Sequence, residues 1–195
     1  MRFSTLFEHV RVPFTVSLSL AVGAVGFMPV EATTADQVQA QRVIATPVPV
    51  PIFVPAEMEI PRIGVRAPVV PVGTEADGKM AAPVTGDDVG WWSGRRPGEG
   101  NALFDAHVDW SGRPGPFARL GELEPGDEVI VRGRGGQMTY RITWLRKMDR
   151  NIDATELLGN RNGAQVATLI TCFGPFDRSI GTRRDRLVAR AELSA

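Results

Sequence analysis

The stretch that decides the fold is Ala164-Gln165-Val166-Ala167-Thr168-Leu169-Ile170-Thr171-Cys172-Phe173. Five of the residues before the thiol are Val, Thr, Leu, Ile and Thr, types that fit a pleated, largely buried strand. Gly174-Pro175 follows, and this pair predicts that the strand stops there. The chain's one cysteine is then expected at a strand end, beside a loop. Working outward, Gly181 to Val188 brings a cluster of arginines into a last strand over Asp185 to Leu193, so a hairpin is expected to return a guanidinium to the thiol.

The same pattern of short strands and turns runs through most of the chain. Fifteen prolines and twenty-one glycines, with few long helix-periodic stretches, favour an all-β domain in a chain of 195 residues. Lys+Arg and Asp+Glu both number 22, so no global charge points to nucleic acid or to anionic lipid. A single cysteine excludes an internal disulfide, and no Cys/His cluster has zinc-ligand spacing.

Three segments are expected. Residues 1–32 open with Arg2 and Arg11 around a polar start, followed by an uncharged apolar run of nineteen residues, Val12 to Val30. That is close to a membrane-spanning length, though Pro13, Ser17, Ser19 and two glycines interrupt it. Val30-Glu31-Ala32 equally offers a secretory cleavage site. Anchor and cleaved signal both place the domain outside the cytoplasm; an ordinary core helix is the alternative. Residues 33–57 form a linker in which Pro alternates with Val, a composition that favours extended, semi-rigid backbone. Residues 58–195 are the folded domain.

Within the domain, Glu59 to Val65 and Ala67 to Val72 read as two short strands whose prolines imply edge positions. Trp91-Trp92 reads as core and lid packing. Asn101 to Asp105 reads as a buried strand delivering Ala106-His107-Val108-Asp109-Trp110 to the domain edge. Phe117, Leu120 and Leu123 share one face of a short helical turn. Glu128–Arg132 and Met138–Trp144 form a hairpin across Arg134-Gly135-Gly136-Gln137. Asp153 to Gly159 reads as a short capped helical turn.

The chemistry rests on few residues. His9 lies in the leader, so the domain holds one histidine, His107, and one cysteine, Cys172. A cysteine nucleophile needs a base close by or a stabilised thiolate, and histidine suits both that pairing and protonation of a leaving amine. Arginine cannot act as a base at neutral pH, but its fixed fork of donors can hold a developing oxyanion.

Thr168-Leu169-Ile170-Thr171-Cys172 resembles the Thr-Leu-x-Thr-Cys signature of sortases, the cysteine transpeptidases of Gram-positive envelopes. The likeness extends over about Glu59 to Leu193. It includes Gly90-Trp91-Trp92, Pro97-Gly98-Glu99-Gly100, the segment around His107, Phe117-x-x-Leu120 and Pro125-Gly126-Asp127. The set is most similar to the short actinobacterial class F, with class E next. The resemblance implies a closed eight-stranded β-barrel and a catalytic Cys172, His107 and Arg184. Arg184 is chosen over Arg183 because the family arginine precedes Asp-x-hydrophobic-Val. It also implies a sorting peptide similar to Leu-Pro-x-Thr-Gly, bound near Thr171, Ala106 and Phe173 and cleaved through a thioacyl-enzyme that an amine acceptor or water resolves. No cofactor or metal is implied. Three residues depart from the pattern: Ala106 stands for Gly, Phe173 for Gly, and Arg186 for the Asn common in class F. Phe173 is expected to narrow the groove beside the nucleophile. The competing reading is a surface barrel that binds peptide or cell-wall glycan without turnover, with Cys172 packed in the core.

Overall fold

The computed structural model describes residues 52–159 and 163–194. The leader and most of the linker lie outside the described residues, and among those described no helix is long and apolar enough to cross a membrane. The strands are β1 (Val54–Ile60), β2 (Val65–Val72), β3 (Val89–Trp92), β4 (Asn101–Ala106), the two-residue pair β5 (Asp109–Trp110) and β6 (Arg113–Pro114), β7 (Glu128–Arg134), β8 (Gly136–Asp149), β9 (Val166–Asp177) and β10 (Thr182–Leu193). One short helix, α1 (Ala154–Leu158), separates β8 from β9.

Eight strands close into a barrel in the order β1-β2-β3-β4-β9-β10-β8-β7, while β5 and β6 form a small ribbon of their own. The β2–β3 and β4–β9 pairs are parallel and the other neighbours antiparallel. Closure removes the sheet edges that exposed strands must otherwise protect. It also corrects the edge expectation for the prolines of β2. Pro68 is the last residue to pair with β1 and Val69 the first to pair with β3, so β2 exchanges partners there without becoming an edge. Pro55 sits at an irregularity of the β1–β7 ladder, and Pro61 opens a 3₁₀ turn.

Side-chain alternation splits the wall into two faces. Ala102, Phe104 and Ala106 of β4, Ala167 and Leu169 of β9, and Leu187, Ala189 and Ala191 of β10 point into the barrel, where they pack with Met58, Ile60, Val129, Val131, Tyr140 and Ile142. Phe117, Leu120 and Leu123 are all buried in this core, as their shared face predicts. The opposite face of the same wall is built from Leu103, Asp105, Ile170, Cys172 and Arg186, and it lines a cavity.

Strand β9 does not stop at Gly174-Pro175. It continues to Asp177, and the ladder to β10 skips from Phe173↔Asp185 to Phe176↔Arg183. Two residues, Gly174 and Pro175, therefore stand opposite one, Arg184. That is a bulge, with Gly174 at φ 81° supplying the left-handed backbone it needs. Cys172 thus lies within a continuous strand, two residues before the bulge. The first strand begins at Val54, inside the segment read as linker, and Phe53 just before it is buried in the core.

Candidate active site

The cavity has a volume of about 700 Å³ and lies against the outer wall of β4, β9 and β10. The 73–82 segment, the β4–β5 connection, α1 and the β9–β10 hairpin contribute its other sides. His107, Cys172, Arg183 and Arg186 all line it.

Register explains the arrangement. The parallel β4–β9 ladder pairs Asp105 with Ile170, so continuing it two residues brings His107 level with Cys172. The antiparallel β9–β10 ladder pairs Cys172 with Arg186 on the other side. Imidazole, thiol and guanidinium therefore reach one cavity from the end of β4, from β9 and from β10. One row further along the wall come Asp105, Ile170 and Val188.

His107 is the first residue beyond β4. Its carbonyl accepts from Phe117 N–H at 3.2 Å, and its ring lies 4.6 Å, centroid to centroid, from Trp110. Nε2 is 3.0 Å from the carbonyl of Pro83. A carbonyl only accepts, so Nε2 carries the hydrogen and Nδ1 is the other ring nitrogen. Cys172 is half-buried, with Sγ 4.0 Å from Thr182 Oγ1.

The arginines separate clearly. Arg186 Nη1 donates to the carbonyls of Arg183 and Asp185 at 3.0 and 2.9 Å, which fixes the guanidinium beside the thiol's strand position. Arg183 donates to the Gly174 carbonyl and pairs with the carboxylate of Asp109, linking the β9–β10 hairpin to the β4–β5 connection. Arg184 is not in the cavity. Its side chain is 73% exposed and paired with Asp177, whose carboxyl the hydrogen bond from Ser179, then Arg184, hold down to about 2. The bulge at Gly174-Pro175 breaks the alternation that would have put Arg184 on the same face as Arg186.

The three residues expected around a bound peptide also separate. Ala106 contributes to the cavity lining. Thr171 is buried beneath it and donates to the Ala106 carbonyl at 2.7 Å, tying β9 to β4 next to the thiol. Phe173 alternates to the opposite face of β9 from Cys172 and is exposed, so its ring does not narrow this cavity.

Sequence reading missed Asp105 as a site residue. Stepping back two from His107 along a strand puts it on the same face, which is the signal that was there to use. Burial pushes its carboxyl up to about 6, against the opposing pull of the charges of His107 and Arg186. Also missed was the anchoring of α1. Asn101 Nδ2 and Arg190 Nη2 both donate to the carbonyl of Leu157, at 3.1 and 2.7 Å, and Arg190 Nη1 donates to that of Gly159 at 2.6 Å. Such side-chain donors satisfy carbonyls that a helix end leaves open. They hold Leu157 and Leu158 over the apolar end of the cavity. Among the described residues no group of three or more His, Cys, Asp or Glu could hold a metal ion.

A closed barrel whose outer wall brings a thiol, an imidazole and a guanidinium into one cavity has the groups of a thiol-dependent enzyme. The sortase domain model matches residues 58–194, and the chain belongs to the sortase family of cysteine transpeptidases. Solved structures agree in fold. Sortase C1 from Streptococcus agalactiae superposes with a TM-score of 0.56 at 21% identity, covering 72% of this chain and 67% of that one. A lid mutant of sortase A from Corynebacterium diphtheriae gives 0.56 at 21%, covering 73% and 70%. A sortase D5 transpeptidase from Clostridium perfringens gives 0.55 at 22%, covering 72% and 79%. A search of curated proteins finds no significant match.

Proposed function

We propose that this sortase cleaves a sorting peptide similar to Leu-Pro-x-Thr-Gly at the Thr-Gly bond and transfers the acyl group to an amine, or to water where no amine is present. Cys172 passes its thiol proton to His107, and Sγ attacks the threonine carbonyl carbon, forming a carbon–sulfur bond as the carbonyl oxygen takes up negative charge. His107 gives a proton to the leaving glycine amine as the carbon–nitrogen bond breaks, leaving a thioacyl-enzyme. The incoming amine attacks that thioester, passes its proton to His107, and releases the thiolate.

The observation that carries this reading is that His107, Cys172 and Arg186 line one cavity, with Cys172 paired to Arg186 across the β9–β10 ladder. Arg186, rather than Arg184, is the oxyanion donor in this proposal. It sits level with the thiol, two carbonyls fix one of its nitrogens, and other donors of the fork are left for substrate. The apolar leader, outside the described residues, supports an extracytoplasmic, membrane-attached enzyme, and the motif set favours class F.

The test is mass spectrometry of the full chain incubated with a Leu-Pro-x-Thr-Gly peptide, with and without a glycine acceptor. An acyl adduct on Cys172 is expected, and Cys172→Ala should abolish both adduct and cleavage while leaving the fold intact. Turnover by Cys172→Ala comparable to the parent sinks the mechanism.

A further inference from the structure

Asp105 is the feature of the cavity that the transpeptidase reading leaves without a task. It lies one row from the Cys172 row, on the same wall, beside Ile170. Two of the other charges lining this cavity have ion-pair partners. Lys79 is paired with Asp77, and Arg183 with Asp109. Arg186 is near enough for its charge to be felt at Asp105 but is held by the carbonyls of Arg183 and Asp185, and among the described residues Asp105 makes no ion pair within 4.0 Å. Glu75 and Arg150 complete the charged lining.

A carboxylate in such a floor discriminates by what it cannot tolerate. An apolar side chain seated over it excludes water and supplies no donor, leaving a buried charge unpaired. A cationic side chain replaces the lost water with a charge-assisted hydrogen bond. One row along a strand is about 7 Å, which is two residues of an extended peptide.

We propose that Asp105 is a specificity-determining residue that selects substrate peptides carrying a lysine or arginine within about two residues of the scissile carbonyl. This inference rests on the transpeptidase reading. The structure supports it through the placement of Asp105 between the nucleophile and the apolar end formed by Leu103, Leu157 and Leu158. Burial pushes the carboxyl's pKa up to about 6, as expected of a carboxyl that gains from a counter-charge.

The test is a positional library built on the Leu-Pro-x-Thr-Gly frame, in which each position around the scissile bond is replaced in turn by Lys, Arg, Met, Leu or Glu. Cleavage by the full chain is followed as kcat/KM. At one position Lys or Arg should be favoured over Met by about tenfold or more, with Glu worst. Asp105→Ala should lose that preference, through a larger fall in kcat/KM for the cationic peptide than for the Met peptide. Asp105→Asn keeps the volume and removes the charge, so it should lose the preference too, and it decides the matter if the alanine variant does not fold. Cleavage by the parent with no cationic preference overturns the proposal, as does a preference that survives in either variant. Absence of both cleavage and acylated Cys172 across the whole library removes the transpeptidase reading itself, and this inference with it.

Discussion

Cys172 has a different neighbour on each flank, and each suggests a measurement. Arg186 is level with it on β10, whereas Arg184 is turned outward onto Asp177. Removing a donor to a developing oxyanion typically costs a factor of about 10² to 10³ in rate. Arg186→Ala is therefore expected to lower kcat by about that factor, and Arg184→Ala to change it less than about threefold. Steady-state kinetics on the two variants side by side check the assignment, and the reverse order would restore Arg184. Asp105 gives a second expectation, through stability. Its folded-state pKa of about 6 exceeds the unfolded value of 3.8, so the folded chain holds this proton at higher pH than the unfolded chain does. The group is neutral in both states below about pH 4, destabilises progressively between about pH 4 and 6, and imposes a constant cost of about 2–3 kcal/mol above that. Asp105→Asn should therefore raise the melting temperature at about pH 7.5 and change it little at about pH 4, as thermal unfolding at the two pH values would show. Equal shifts at both would mean the carboxyl is not desolvated.

At the scale of elements, the sequence made the parts legible where one local rule governs them. Asp153 caps α1 by accepting from the Thr155 N–H at 2.6 Å, and the β7–β8 hairpin turns where Gly135, at φ 101°, allows it. The Cys172 hairpin was legible as a hairpin but not as a bulged one. Gly174-Pro175 carries the signal for a strand end, and only the pairing with β10 reveals that two residues stand opposite one. That one offset moves Arg184 out of the site and leaves Arg186 in it, which motif spacing cannot resolve. The β4–β5 connection shows the same dependence on tertiary approach. A Cβ added to Gly115 would sit 2.2 Å from the His107 carbonyl oxygen, and Gly115 N–H donates to the Val108 carbonyl at 3.1 Å. Gly115→Ala must push these backbones apart and displace the imidazole carried by one of them. Activity is expected to fall by more than about tenfold, since small misplacements of a catalytic group are costly, while the barrel core stays intact. Peptide cleavage with near-ultraviolet circular dichroism checks this, and a variant with unchanged cleavage would show that the connection does not hold His107 in place.

For the whole molecule, closure is the organising constraint, and it is what a strand-by-strand reading sees least well. The barrel closes between β1 and β7, where Val54 pairs with Arg134, Pro55 with Gly133 and Glu57 with Arg132. Gly133 admits a contact that a Cβ would fill, at 2.0 Å from the Val54 carbonyl oxygen, and Arg132 is ion-paired to both Glu57 and Glu59. Composition placed the domain start at Met58 because Pro and Val alternate up to that point, a pattern as suitable for a linker as for the first residues of β1. Strand β1 begins at Val54, and its first residues pair with β7. A chain beginning at Met58 lacks Phe53, Val54, Pro55 and Glu57, and so loses one buried aromatic, the first pairs of the closing ladder and one carboxylate facing Arg132. Burying a phenylalanine contributes roughly 1.5–3 kcal/mol, and the missing strand pairs add to that. In a domain of this size a loss of about 3 kcal/mol lowers the melting temperature by about 10 °C. A chain starting at Pro47 should therefore melt with the stability of the full chain, and one starting at Met58 about 10 °C lower or more, with a greater tendency to associate through the newly open β7 edge. Differential scanning calorimetry and light scattering on the three forms read both consequences. Equal melting of the Met58 form would mean that β1 closes the barrel without contributing to its stability, and that the domain begins where the composition alone suggested.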